Sequence, residues 1–177
     1  MSVMTPETFR LALVLGGARS GKSRYALKLA AQFPPPRLYL ATAAAGDAEM
    51  AARIARHQRE RGPEWETWET PLELAAAVRQ AQGRYGVLLA DCLTLWLSNW
   101  LIRGTAADAW VVVEEELVDA ARQTSTPLIL VSNEVGWGIV PENPLAREFR
   151  DRAGRLHQRL AAAADLVVLV AAGIPLV

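Results

Sequence analysis

Five short runs of aliphatic residues punctuate the chain: Leu11–Leu15, Leu38–Ala41, Val87–Ala90, Leu128–Val131 and Leu166–Val170. Most are nearly continuous in hydrophobicity rather than alternating, as in strands of a parallel sheet covered on both faces. Between them the pattern turns helical, over Ser23–Gln32, Leu93–Arg103, Ala107–Gln123 and Pro144–Ala164. Thr70-Pro71-Leu72-Glu73 reads as a further helix start, with a capping threonine, proline in the first turn and glutamate three positions on. Gly83 is its expected stop. Asp47–Arg61 reads as another helix, with Asp47 as N-cap and Gly62-Pro63 ending it. Strand–helix alternation of this kind predicts an α/β fold, a mostly parallel sheet flanked by helices. Pro34-Pro35-Pro36 is a rigid connection into the second strand. With no internal repeat or low-complexity tail, residues 11–177 are expected to form one domain behind an N-terminal extension, residues 1–10.

The first strand runs straight into Gly16-Gly17-Ala18-Arg19-Ser20-Gly21-Lys22-Ser23, a complete G-x-x-x-x-G-K-S loop, followed at once by a helix. A buried strand, a glycine turn and a helix N-terminus together make a nucleoside triphosphate site. The glycines let successive backbone N–H groups curl around one anion. Lys22 brings a mobile positive charge to the β- and γ-phosphates, and the Ser23 hydroxyl suits a Mg²⁺ shell.

In such sheets ligands bind beyond the C-terminal ends of the strands. That rule nominates Thr42-Ala43-Ala44 after the second strand and Asp91 after the third. Asp91 suits Mg²⁺, directly or through water, or alternatively a cap on the next helix. After the fourth strand comes Ser132–Pro141, in which two glycines bracket Trp137. Trp137 suits either a flat ligand contact or inward packing.

Composition narrows the classes. The 19 basic and 19 acidic residues balance and no long basic block occurs, which disfavours a nucleic-acid or membrane-surface partner. No apolar stretch approaches the roughly 20 residues needed to span a bilayer. Residues 1–10 lack a hydrophobic signal core, and a single cysteine, Cys92, precludes an internal disulfide, so a cytoplasmic location is expected.

One histidine invites chemistry. His57 continues the Met50–Ile54 face of its helix among Arg53, Arg56, Arg59 and Arg61. The Glu49–Arg53 and Arg56–Glu60 spacings equally fit a solvated surface helix. Neutral imidazole is nonetheless a competent nucleophile toward phosphorus, and guanidinium groups stabilise a departing pyrophosphate. His157, in the late helical stretch, reads as structural.

Five segments together resemble one family: GGARSGKSRYA, YLAT, DAEMAARIARHQ, DCLTLWLSN and NEVGWGIVPENPLAREFRDRAGRLHQRLAAAAD. The chain is similar to the bifunctional adenosylcobinamide kinase/adenosylcobinamide-phosphate guanylyltransferases of cobalamin biosynthesis, nearly throughout from Leu11 onward. The resemblance implies a RecA-like phosphate-loop core and a homotrimer. It implies phosphorylation of adenosylcobinamide by ATP or GTP. Transfer of GMP to adenosylcobinamide phosphate then follows through a guanylylated histidine, which falls on His57. It further implies GTP contacts from Gly16–Ser23, Thr42–Ala44, Arg59, Glu60, Arg61, Gly62, Glu69 and Asp91, with Lys22 catalytic. Asp91 stands where some members carry glutamate, and Trp137 fills a variable position. The rival readings are a phosphate-loop small-molecule kinase without guanylyltransferase activity and a regulatory GTPase. The second lacks any N-K-x-D guanine reader.

Overall fold

All five aliphatic runs become strands of one sheet. The computed structural model describes residues 9–43 and 62–177. In chain order these form β1 (Leu11–Gly16), α1 (Lys22–Ala30), β2 (Arg37–Ala41), β3 (Trp65–Glu69), α2 (Leu74–Gln80), β4 (Val87–Asp91), α3 (Leu93–Ile102), α4 (Ala107–Arg122), β5 (Leu128–Asn133), α5 (Pro144–Ala163), β6 (Leu166–Ala171) and β7 (Ile174–Leu176). The sheet order is β3-β2-β4-β5-β1-β6-β7. Every neighbouring pair is parallel except β6–β7.

Near-continuous hydrophobicity has the expected cause in β1, β2, β4 and β5: their alternate residues enter different cores. Leu11, Leu13, Leu38, Leu40, Leu88, Leu128 and Leu130 pack with α2, α3, α4 and α5. Ala12, Val14, Val87, Leu89, Ile129, Val131 and Val168 pack on the other face, where α1 supplies Ala26, Leu29 and Ala30. Both faces being sealed, backbone ends are the places where the central strands meet ligand.

Two strands escaped the hydrophobic pattern. β3 reads Trp-Glu-Thr-Trp-Glu and occupies a sheet edge, where a half-exposed strand needs no aliphatic run. β7 is a three-residue antiparallel edge strand, turned back by Ala172 and Gly173 at φ 51° and 82°. The helix expected from Thr70 is also corrected. α2 begins later, at Leu74, behind an N-cap Glu73 that makes no side-chain cap. Thr70 is instead tied to the end of β2, its N–H donating to the Ala41 carbonyl at 2.7 Å. A buried hydroxyl beside that carbonyl leaves nothing for a capping box. Gly83 does follow α2, at φ 70°, with its N–H donating to Thr126 Oγ1 at 2.8 Å.

Arg37, buried at the start of β2, locks β2 to the end of α1. Its Nε donates to the Phe33 carbonyl at 2.9 Å, Nη2 to the Ala31 carbonyl at 3.1 Å, and Nη1 to Glu64 Oε2 at 2.5 Å. Removing the guanidinium strands two carbonyls, whereas the Glu64 side chain is 57 % exposed and readily hydrated. Arg37→Met is therefore expected to cost about 2–3 kcal/mol. Glu64→Gln should cost less than about 1 kcal/mol. Urea unfolding of both variants checks the ranking; equal losses would contradict it.

Candidate functional site

The phosphate loop is built by close approach. A Cβ on Gly16 would stand 2.4 Å from Ser20 Oγ and 2.6 Å from the Val170 carbonyl, so only glycine lets the loop fold back on β6. Ser20 N donates to the Gly17 carbonyl at 3.2 Å, and Gly173 N, from the β6–β7 turn, donates to the Ser20 carbonyl at 2.8 Å. Gly21 then opens α1 at φ 94°, without a side-chain cap and without an acidic residue in the first turn. The leading N–H groups of that helix thus have no side-chain acceptor of their own, which is the chemistry of an anion site. Lys22 is buried, and its Nζ donates to the Gly17 carbonyl at 3.2 Å, holding the ammonium inside the loop.

Asp91 ends β4, one strand removed from β1 across β5. It does not cap α3, whose N-cap is Cys92 with no side-chain cap bond. Its Oδ2 accepts from the Tyr39 hydroxyl at 3.3 Å. Behind it lies a shelf of short polar bonds. Thr42 Oγ1 donates to the Cys92 carbonyl and accepts from the Cys92 N–H, both at 2.8 Å, around the cis Asp91–Cys92 peptide. Cys92 Sγ meets Thr94 Oγ1 at 3.1 Å, and Asn133 Nδ2 donates to the same hydroxyl at 2.8 Å. Asn99 Nδ2 donates to the Thr42 and Pro71 carbonyls. Burial, reinforced by the Asp91 charge, pushes the Cys92 thiol pKa up, which keeps it protonated and unsuited to act as a nucleophile.

Ser23, in the first turn of α1, and Asp91 give one hydroxyl and one carboxylate, both hard oxygen donors. That sparse set fits Mg²⁺, which keeps waters and takes its other ligands from substrate phosphates. Among the described residues no group of three or more His, Cys, Asp or Glu side chains could hold a metal by itself.

The loop after β5 forms the opposite wall. Glu134 N donates to the Gly16 carbonyl at 3.0 Å, pinning the loop to the phosphate loop. Glu134 Oε1 accepts from Gly136 N at 2.7 Å. Trp137 is 79 % exposed, which decides against inward packing. Together Gly17–Ser20, Glu134, Trp137 and Leu169–Ala172 line an open groove of about 450 Å³. A second groove of about 470 Å³ is lined wholly by α4 and α5 residues and by no strand end. His157, read from sequence as structural, is indeed buried, but directly behind this wall: its Nε2 lies 2.7 Å from Ser132 Oγ and its Nδ1 3.9 Å from Glu134 Oε2. Burial lowers its pKa, against an opposing pull from the Glu134 charge.

Of the residues singled out from sequence, the fold gathers Gly16–Ser23, Thr42, Ala43 and Asp91 at the C-terminal ends of β1, β2 and β4, with β5 between β4 and β1. Thr42 is fully buried with its hydroxyl committed to Cys92. Glu69 ends β3, in register with Ala41, and Gly62 precedes β3 at φ 80°. His57, Ala44, Arg59, Glu60 and Arg61, with Arg53 and Arg56, lie outside the described residues. Sequence reading missed the Cys92–Thr94–Asn133 shelf and the Ser132–His157–Glu134 contact. Neither has a local signature, since each is completed by a long-range bond, Asn133 to Thr94 across 39 positions and His157 to Ser132 across 25.

A family model described as cobinamide kinase / cobinamide phosphate guanyltransferase matches residues 12–177. A bifunctional adenosylcobalamin biosynthesis protein CobP of Pseudomonas aeruginosa is 45 % identical over 164 residues, covering 93 % of this chain and 94 % of the relative. A bifunctional adenosylcobalamin biosynthesis protein CobU of Salmonella typhimurium is 42 % identical over 174 residues, covering 92 % and 96 %. Among solved structures, the RadB recombinase superposes with a TM-score of 0.55 at 14 % identity, over 90 % of this chain and 73 % of that one. A prototypical ATPase from the type III secretion system of pathogenic bacteria gives 0.53 at 10 % identity, over 90 % and 50 %. These likenesses show a RecA-like phosphate-loop fold. By sequence along nearly its whole length, the chain belongs to the cobinamide kinase/cobinamide phosphate guanyltransferase family.

Proposed function

We propose that this chain carries out two successive transfers. The terminal phosphate of ATP or GTP passes to the hydroxyl of the aminopropanol arm of adenosylcobinamide. GMP from GTP then passes to adenosylcobinamide phosphate, giving adenosylcobinamide-GDP. The observation that carries the reading is the uncapped N-terminus of α1 with Lys22 folded into its loop, in a chain of this family.

In the first transfer the loop amides of Gly16–Ser23 and the Lys22 ammonium hold the phosphates and take up charge as the terminal phosphoryl group departs. Ser23 and Asp91 hold Mg²⁺, which supplies charge neutralisation on the phosphate oxygens when bound. Tyr39, donating to Asp91 Oδ2, orients that carboxylate. In the second transfer a neutral His57 nitrogen attacks the α-phosphorus of GTP. A P–N bond forms, the α–β bridging P–O bond breaks and pyrophosphate leaves. The phosphate of adenosylcobinamide phosphate then attacks the same phosphorus and releases His57. Arg53, Arg56 and Arg59 stabilise the charge on the nucleotide and pyrophosphate, while Glu60, Arg61, Gly62, Glu69, Ala43 and Ala44 contact GTP. Exposed Trp137 lies against the cobinamide as a flat apolar wall. The family resemblance supports a homotrimer, and a single cysteine fits a reducing cytoplasm. Among the described residues no helix is long and apolar enough to cross a membrane.

Intact mass after incubation with GTP and Mg²⁺ tests the second transfer. The wild type is expected to gain an acid-labile GMP adduct, and His57→Ala to gain none while still phosphorylating adenosylcobinamide. No adduct on a folded, GTP-binding wild type would leave a phosphate-loop kinase alone. Lys22→Ala should cut kcat of the kinase step by about a hundredfold or more. Trp137→Ala should instead raise the KM for adenosylcobinamide by about fivefold to tenfold with little change in kcat. A Trp137→Ala loss confined to kcat would remove that residue from the binding surface.

A further inference from the structure

The wall opposite the phosphate loop carries a carboxylate backed by buried polar groups. Glu134 lines the groove beside Gly17–Ser20, and its side chain is 21 % exposed. Its main chain is fixed by the bond to the Gly16 carbonyl, and one carboxylate oxygen by Gly136 N. The other oxygen, Oε2, faces His157 Nδ1 at 3.9 Å, and that imidazole is held from behind by the fully buried Ser132 hydroxyl at 2.7 Å.

The tautomer follows from charge. If Ser132 accepted a hydrogen bond from Nε2–H, the Nδ1 lone pair would face a carboxylate, which is repulsive. With Ser132 donating to Nε2, Nδ1 bears hydrogen and points its positive end at Glu134. Burial favours the same neutral ring. The separation exceeds a hydrogen bond, so the attraction here is between a charge and a dipole, and it restrains Oε2. An apolar residue would suffice to fill the space behind the wall. A ring with both nitrogens directed at named oxygens does more, since it sets the direction of the carboxylate.

Resting on the kinase reading above, we propose that Glu134 binds and orients the acceptor hydroxyl in the phosphoryl-transfer step, and that His157 is its positioning residue. The acceptor oxygen forms a bond to the terminal phosphorus of the nucleotide as the bond from that phosphorus to the bridging oxygen breaks. The nucleoside diphosphate leaves, and the hydroxyl proton passes to the Glu134 carboxylate and on to solvent. The transition state is loose, so most of the benefit is orientation of the alcohol in line with the leaving oxygen.

The test uses geometry of side-chain amides. In His157→Asn the amide nitrogen replaces Nδ1, facing Glu134, whereas in His157→Gln it replaces Nε2, facing Ser132. Phosphorylation of adenosylcobinamide by ATP is measured for both, beside Glu134→Gln, together with thermal midpoints and GMP-adduct formation. Glu134→Gln is expected to lower kcat about a hundredfold with the KM for ATP little changed. His157→Gln should lower kcat about tenfold, and His157→Asn should stay within about threefold of wild type. Adduct formation should persist in all three. Equal kcat losses in the two His157 variants, or losses that simply follow the thermal midpoint, would reduce His157 to packing and overturn its role. Normal turnover by Glu134→Gln would overturn the whole proposal. A wild type that forms the adduct yet never phosphorylates adenosylcobinamide would instead refute the kinase reading, a different result from either.

Discussion

Everything at this site depends on how closely the end of β1 approaches β6. Gly16 sits where any side chain would collide with Ser20 and with the Val170 carbonyl. That approach curls the loop, brings Gly173 N onto the Ser20 carbonyl, and starts α1 at Gly21 with its leading amides unengaged by side chains. The loop is therefore held by backbone on both sides, β6 and its turn behind and Glu134 N in front. Such a cradle pays little reorganisation when charge develops on a phosphate, because its dipoles are already fixed.

Polar side chains around the cradle divide into two sets. Thr42, Thr94, Asn99, Asn133 and the Cys92 backbone bond mainly to one another, beneath the ends of β2, β4 and β5. They satisfy backbone groups that a regular sheet leaves behind where its strands stop, and so make those ends rigid. Lys22, Asp91, Glu134 and Trp137 form the second set, on the phosphate loop, at the end of β4 and in the loop after β5. The charged groups lie in this outer set, while the inner shelf is uncharged with its thiol held protonated. An uncharged shelf avoids the cost of burying ions.

The proposed chemistry uses one nucleotide cradle for two different bonds. Terminal phosphoryl transfer needs charge neutralisation and an aligned alcohol. Guanylyl transfer needs a nucleophile at the α-phosphorus and room for pyrophosphate to depart. A groove open on the Trp137 side, rather than a sealed cavity, suits an acceptor as bulky as a corrin derivative.

Much of this was legible in the chain alone. Alternate residues of a doubly covered strand must both be apolar, so β1, β2, β4 and β5 announced themselves, and β6 did so although its Val167 and Ala171 face solvent. The G-x-x-x-x-G-K-S loop was equally plain, because its backbone geometry requires those residue types at that spacing. Edge strands β3 and β7 were not visible, since a strand half in solvent needs no aliphatic run. Thr70 looked like a helix cap because local sequence cannot show that the end of β2 lies beside it. Trp137 stayed undecided until its exposure was known, and His157 gave no sign that it stands behind Glu134. Local rules act over three or four residues, whereas these contacts join positions brought together by strand order, and only the assembled sheet decides which side chains meet.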